Sequence, residues 1–187
     1  MIKKILAGWV LALGLATGVN AASVRPMLLD EIIDTAAVGF HGICIANRTE
    51  RDTATNFIVT YTTFEVRDAL KGKVAATHVI KQIGGTMDGG DSGMIVHGVP
   101  RFVVGQEYVV FLAGVSSLGF SSPVGLTQGK FAVQDGPAGK SIASGADFRE
   151  LTARMPQADM PSGGAPIRQL RLEAFKEMAR SQARQRE

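Results

Sequence analysis

Asp88, Asp91, Ser92 and His97 fall within ten residues of one another, in a stretch where Gly84–Gly93 (GGTMDGGDSG) holds five glycines. Two further histidines, His41 and His78, stand upstream. Gly90-Asp91-Ser92-Gly93 has the composition of a loop that carries a nucleophilic serine. Such chemistry needs a histidine base and a carboxylate that orients it, both meeting the serine in space. His41, with Asp52 or Asp68, supplies the residue types. The setting argues against it: His41 lies inside a strand pattern, and Met94 follows Gly93 where a serine-hydrolase loop carries a further glycine. Asp88, Asp91 and His97 are the remaining candidates for binding. They lack a ligand spacing of the H-x-x-x-H, paired-cysteine or EF-hand kind, so the expectation is no bound metal and no cofactor. Gly84-Gly85 has no following Lys-Ser/Thr and does not read as a phosphate loop. Glu65 has no carboxylate partner for acid–base work, so no catalytic residue is assigned.

The elements that would hold these residues read mainly as strands. Met27–Thr35 spaces Leu28, Leu29, Ile32 and Ile33 at helical intervals, which predicts a short amphipathic helix. Val38–Ala46 and Phe57–Arg67 alternate as strands, with the first expected to be buried on both faces. In the second, apolar residues switch from odd positions (Phe57, Val59, Tyr61) to even ones (Phe64, Val66). A switch of phase inside one strand predicts a bulge or sharp bend. Asn47–Asn56 reads as a polar connection. Thr77–Ile83 is a third strand. Phe102–Val104 and Tyr108–Leu112 read as strands about a turn, and Ser121–Leu126 with Lys130–Val133 as another hairpin. Asp147–Arg154 reads as a short helix. In the tail, Ile167, Leu170, Ala174, Phe175 and Met178 form one stripe after Pro166, predicting a basic amphipathic helix over 166–187.

The start of the chain reads as an export signal. Lys3 and Lys4 precede an uncharged apolar run, Ile5 to Val19, and Val19-Asn20-Ala21 supplies small residues before a cut. That run is shorter than the roughly 20 residues a spanning helix needs. Taking Lys3 and Lys4 from the formal net charge of +3 leaves +1, so the body is nearly neutral. Such a balance disfavours nucleic acid as a partner. The single cysteine, Cys44, excludes an intramolecular disulfide and sits in an apolar run, as a small core residue does. The expected organisation is a signal peptide at 1–21, a barrel domain with an N-terminal helix at 22–152, a linker at 153–165, and the helix at 166–187.

The order of these segments resembles a known family. A Gly-containing strand (Ala37–Ala46) leads to a bent strand ending Phe64-Glu65-Val66, then to Asp68-Ala69-Leu70-Lys71-Gly72. After the Gly-rich loop comes Gly105-Gln106-Glu107-Tyr108-Val109-Val110-Phe111-Leu112. Over about residues 36–134 this is similar to the netrin/TIMP-like modules of secreted proteins and their bacterial relatives. The resemblance implies an all-β fold: a small OB-like closed barrel, here with flanking helices. It implies extracellular interaction and transfers no functional residue, because no cysteine stands at the start of the exported chain where inhibitory members carry one. The leading expectation is an exported, non-enzymatic interaction module that presents 47–56 and 84–98 to a protein or glycan. One alternative is a metal- or serine-dependent hydrolase using loop 84–93. Another is an envelope structural or assembly protein attached through 166–187, with contact to a membrane surface.

Overall fold

The computed structural model describes residues 25–87, 92–156 and 165–185. The proposed signal peptide at 1–21, Asp88, Asp91 and most of the 153–165 segment lie outside these residues. The fold is β-rich, with a large antiparallel sheet and a C-terminal helix. In chain order the elements are α1 (Leu29–Thr35), β1 (Val38–Arg51), β2 (Ile58–Lys71), β3 (Thr77–Ile83), β4 (Gly85–Thr86), β5 (Gly93–Met94) and β6 (Glu107–Leu112). There follow β7 (Lys130–Gly136), β8 (Gly139–Ala143), α2 (Phe148–Leu151), β9 (Gln169–Arg171) and α3 (Leu172–Arg184). Seven strands form one sheet in the order β3-β2-β1-β6-β7-β8-β9, and β4 pairs with β5 apart from it.

The two longest strands, β1 and β2, bend together. Their register slips three times, leaving Ile45 as an extra residue on β1 and Arg67 and Leu70 as extras on β2. The irregularity expected in β2 between Tyr61 and Phe64 is not there: β2 pairs with β3 in unbroken register from Val59 to Glu65, its own extra residues come later at Arg67 and Leu70, and the slip beside Phe64 is made by β1 opposite it. Ile45 turns outward there and is 45% exposed, so β1 is not buried on both faces along its length. At Gly42 a Cβ would sit 2.7 Å from the Glu65 carbonyl oxygen, so only glycine allows the two backbones this close.

Each face of the sheet has its own core. On one face, Val109, Phe111, Phe131, Val133 and Ile142 meet Ile32 and Ile33 of α1 and Phe175 and Ala179 of α3. Phe175 is the hub, with ring centroids 4.9 Å from Phe131, 6.1 Å from Phe148 and 6.5 Å from Phe111. Polar contacts lock the helices down. Lys71 donates to the carbonyls of Ile33 (2.6 Å) and Asp34 (3.0 Å), capping the C-terminal end of α1. Asp68 on β2 accepts from Lys176 (2.7 Å) and also pairs with Arg180. On the other face, Phe40, Cys44, Phe64, Ile80, Phe102, Tyr108, Val110 and Leu112 pack together. Edge-to-face contacts run from Phe40 to Phe64 (5.4 Å), Phe64 to Phe102 (4.9 Å) and Phe102 to Tyr108 (5.1 Å).

Strand pairing ends at β3 on one side and β9 on the other. The 113–124 segment nonetheless reaches across to β3. Pro123 bridges to Leu112 of β6, and the Ser121 amide donates to the Lys81 carbonyl at 3.0 Å.

Several segments differ from their sequence reading. The first half of the 47–56 connection is strand, because β1 runs on to Arg51 with polar side chains on both faces. Asp52 then forms the turn, accepting from the amide and hydroxyl of Thr55. Phe102–Val104 is not a strand; the Val103 amide is held by the Tyr108 hydroxyl at 3.0 Å. Ser121–Leu126 makes one bridge and no hairpin. The hairpin is β7–β8, about a turn at 137–138. The helix expected over 166–187 starts only at Leu172, after Gln169–Arg171 has paired with β8 as β9. The 153–165 segment is not a linker throughout: Met155 is buried in the helix-side core.

Candidate functional site

The inner face of β1, β2 and β3 changes character row by row. In register, Cys44, Phe64 and His78 form one row, and Asn47, Thr62 and Ile80 the next. Thr49, Thr60 and Gln82 form the third. The apolar core thus gives way to hydroxyls and amides toward one end of the strands. There a cleft of about 290 Å³ opens between the threonine rows, the β4–β5 hairpin and the 96–102 segment.

Its polar side chains are knit together. Thr60 Oγ1 donates to the Gly84 carbonyl at 2.7 Å, and Thr49 Oγ1 lies 3.0 Å from Thr60 Oγ1. Thr62 Oγ1 donates to Asn47 Oδ1 at 2.7 Å, and Asn47 Nδ2 donates to the Phe102 carbonyl at 2.8 Å. Gln82 is the exception. The residue is only 4% exposed, and its Nε2 makes no hydrogen bond among the described residues. A buried amide without an acceptor costs about 1–3 kcal/mol. The opposite wall is apolar, with Met94, Val96, Val99 and Pro100. Gly85 seats the hairpin: its φ is +138°, and a Cβ would lie 2.2 Å from Thr60 Oγ1. No side chain other than hydrogen fits over the threonine pair. That is the structural use of Gly84-Gly85.

Charge lies around the cleft more than in it. Arg101 is the single charged side chain among the described lining residues, and it is exposed. Behind the cleft, Lys130 holds its ammonium 5.0 Å from the ring centroids of both Phe102 and Tyr108 and donates to the Arg101 carbonyl. Burial pushes the pKa of Lys130 down and those of Tyr108 and Cys44 up. Cys44 is fully buried, the setting of an inert thiol. Lys81 pins neighbouring segments. It pairs with Asp52 at 2.8 Å, donates to the Leu118 carbonyl at 3.1 Å, and lies 4.7 Å from the Phe120 ring. The Lys81 hydrogen bond, helped by Thr55, holds the Asp52 carboxyl below its usual range.

The residues singled out from sequence do not assemble. Asp88 and Asp91 lie outside the described residues. His97 is exposed in the segment beside the cleft. Ser92 is exposed at the foot of β5, its carbonyl accepting from the Met87 amide at 2.9 Å. His41 lies on the helix-covered face beside Val109, where its Nε2 is 3.0 Å from Glu107 Oε2. Lys140 holds the same carboxylate at 2.7 Å and reaches Asp135 at 3.4 Å. Burial pushes Glu107 up, but Lys140 and His41 outweigh it and leave the carboxyl lowered. His78 packs on Phe40 at 5.3 Å between centroids, and burial lowers its pKa. Among the described residues, no group of three His, Cys, Asp or Glu side chains is placed to hold a metal ion. No helix among them is long and apolar enough to cross a membrane.

Sequence reading had Asn47 and Thr49 only as part of the 47–56 segment, and missed Thr60, Thr62 and Gln82. A signal existed. Thr60 and Thr62 continue the parity of buried Phe64, so they are polar residues at inward positions. Set against family models, curated proteins and solved structures, the chain matches none.

Proposed function

We propose that this protein is an exported, non-enzymatic interaction module that grips a protein or glycan partner in the cell envelope or outside the cell. The grip is the cleft above Thr49, Thr60 and Gln82. One observation carries this reading: a buried side-chain amide left without an acceptor among the described residues, on a residue that lines a cleft whose neighbouring threonines and asparagine are hydrogen-bonded to one another and to the backbone. Buried donors in folded proteins are nearly always satisfied, and the exceptions call for an explanation. A partner that brings an acceptor supplies one.

The finer architecture we propose is an OB-like barrel akin to netrin/TIMP-like modules. Its support is β1 paired on both sides, the register slips between β1 and β2, and the Ser121–Lys81 backbone hydrogen bond toward closure. Mouths of barrels are common places for ligand sites. Export rests on Lys3, Lys4 and the apolar run that follows.

The test is retention on the native envelope fraction by the tagged exported chain and its Gln82→Leu variant. Retention by the first and at least tenfold weaker retention by the second is the expected result. Equal retention removes the cleft from the interaction. N-terminal sequencing of the secreted protein checks export, with a start at Ala22 expected.

A further inference from the structure

We infer that the cleft takes a neutral saccharide, seated by Gln82, Asn47 and Thr49. This deepens the proposed interaction reading and rests on it.

The argument is one of hydrogen-bond complementarity. Gln82 Nε2 offers a donor with no acceptor. Asn47 uses Nδ2 on the Phe102 carbonyl, and an amide nitrogen carries a second N–H. Thr60 sends its hydroxyl proton to the Gly84 carbonyl, so Thr49 sends its own to Thr60 and keeps lone pairs free. The cleft therefore presents donors and an acceptor side by side. Carboxylate and phosphate oxygens only accept, and an ammonium only donates. A hydroxyl does both.

Charge and shape narrow it further. With Arg101 the single charged lining residue among the described residues, exposed at that, an anion has little there to hold it. A peptide strand would need an unpaired strand edge. Here Thr60 and Gln82 are paired to each other across β2 and β3, and what faces the cleft is side chains. The wall of Met94, Val96, Val99 and Pro100 opposes the hydroxyl-and-amide wall. A sugar ring has the matching halves, with hydroxyls at its rim and C–H groups on its face. The volume is at the lower end of ligand pockets, roughly 300–1,000 Å³, which suits the end of a glycan rather than its length.

The experiment is NMR titration of the isotope-labelled exported chain with cellobiose, maltose, lactose and diacetylchitobiose. A sulfated heparin disaccharide and inorganic phosphate are run beside them. At least one neutral sugar is expected to shift the Gln82 side-chain amide and the Gly84 and Gly85 backbone amides saturably, with Kd about 1 mM or tighter. Gln82→Leu is expected to weaken that binding at least tenfold. Gln82→Met, similar in length and without the amide, is expected to do the same while keeping the wild-type circular dichroism and Tm within a few degrees. The inference is overturned if no neutral sugar shifts these signals, if phosphate or the sulfated sugar binds as well, or if both variants bind like wild type. A parallel arm separates the two levels of the argument. If a polypeptide from the envelope fraction is retained by wild type and lost by Gln82→Leu while no sugar binds, the saccharide is overturned and the interaction cleft stands. If neither sugar nor polypeptide depends on Gln82, both fall.

Discussion

The two faces of the sheet are filled by opposite rules. On the helix-covered face the packing is apolar from α1 through Phe175 to Ile142, and charged groups such as Asp68, Lys176 and Arg180 stand at the seam between helix and strand. On the inner face the apolar packing stops two residues short. Phe64 gives way to Thr62 and then Thr60, and the last buried position carries an amide with an unused donor. The first face holds the fold together. The second leaves a buried donor unpaired among the described residues at one end, beside a shaped opening.

This contrast can be broken most sharply at Phe175. Phe175→Ala is expected to cost about 3–5 kcal/mol in chemical denaturation, because three rings lose their common neighbour. A loss under about 1 kcal/mol would mean that α3 is not part of the core. Next is Gly85→Ala, expected to cost roughly 1–3 kcal/mol through its positive φ and the clash with Thr60 Oγ1. Hydrogen exchange should locate that damage at β4–β5 and leave β6 protected.

Acid acts on the helix face more gently. Burial pushes the Asp68 carboxyl up, but Arg180 and Lys176 outweigh it and leave the folded value lowered. A carboxyl lowered in the folded state stabilises above its unfolded pKa of about 3.9, and that stability is lost as pH falls through the folded value. His78 is likewise lowered, by burial, so its neutral form favours folding above about pH 6.5 and that contribution fades below it. Tm should therefore drop in two stages between pH 7 and pH 3. Asp68→Asn should shrink the lower stage, which Asp52 and Glu107 share, and leave the upper one. The smallest effect is expected at Gln82→Leu, where removing an unpaired buried amide should leave Tm unchanged or slightly raised. A marked fall in Tm would show that Gln82 serves the fold instead.

Legibility from sequence followed the same divide. Thr77–Ile83 was readable as a strand despite its mixed polarity, and α1 and β6 from the apolar spacing that packs them into a core. The phase switch in β2 misled, because Thr60 and Thr62 keep the inward parity of Phe64 and the extra residues come only at Arg67 and Leu70. What escaped was structure made by polar residues. The end of β1, from Asn47 to Arg51, has no apolar face because one side lines the cleft and the other meets solvent. β8 and β9 are short and mostly polar, and they exist because the sheet edge accepts them. The cleft was hidden for the same reason: threonine and glutamine in strands read as solvent-facing until register places them beside Phe64. Asp91, Ser92 and His97 drew notice by residue type alone, which carries no information about what meets in space.

Cys44 has a practical consequence. Its sulfur is sealed in the inner core one row below Asn47 and is the only thiol in the chain. An alkylating reagent can reach it only when that core opens, so the labelling rate is a built-in clock for breathing of the sheet. Anything that fills the mouth above it should slow the clock, and it needs no engineered probe.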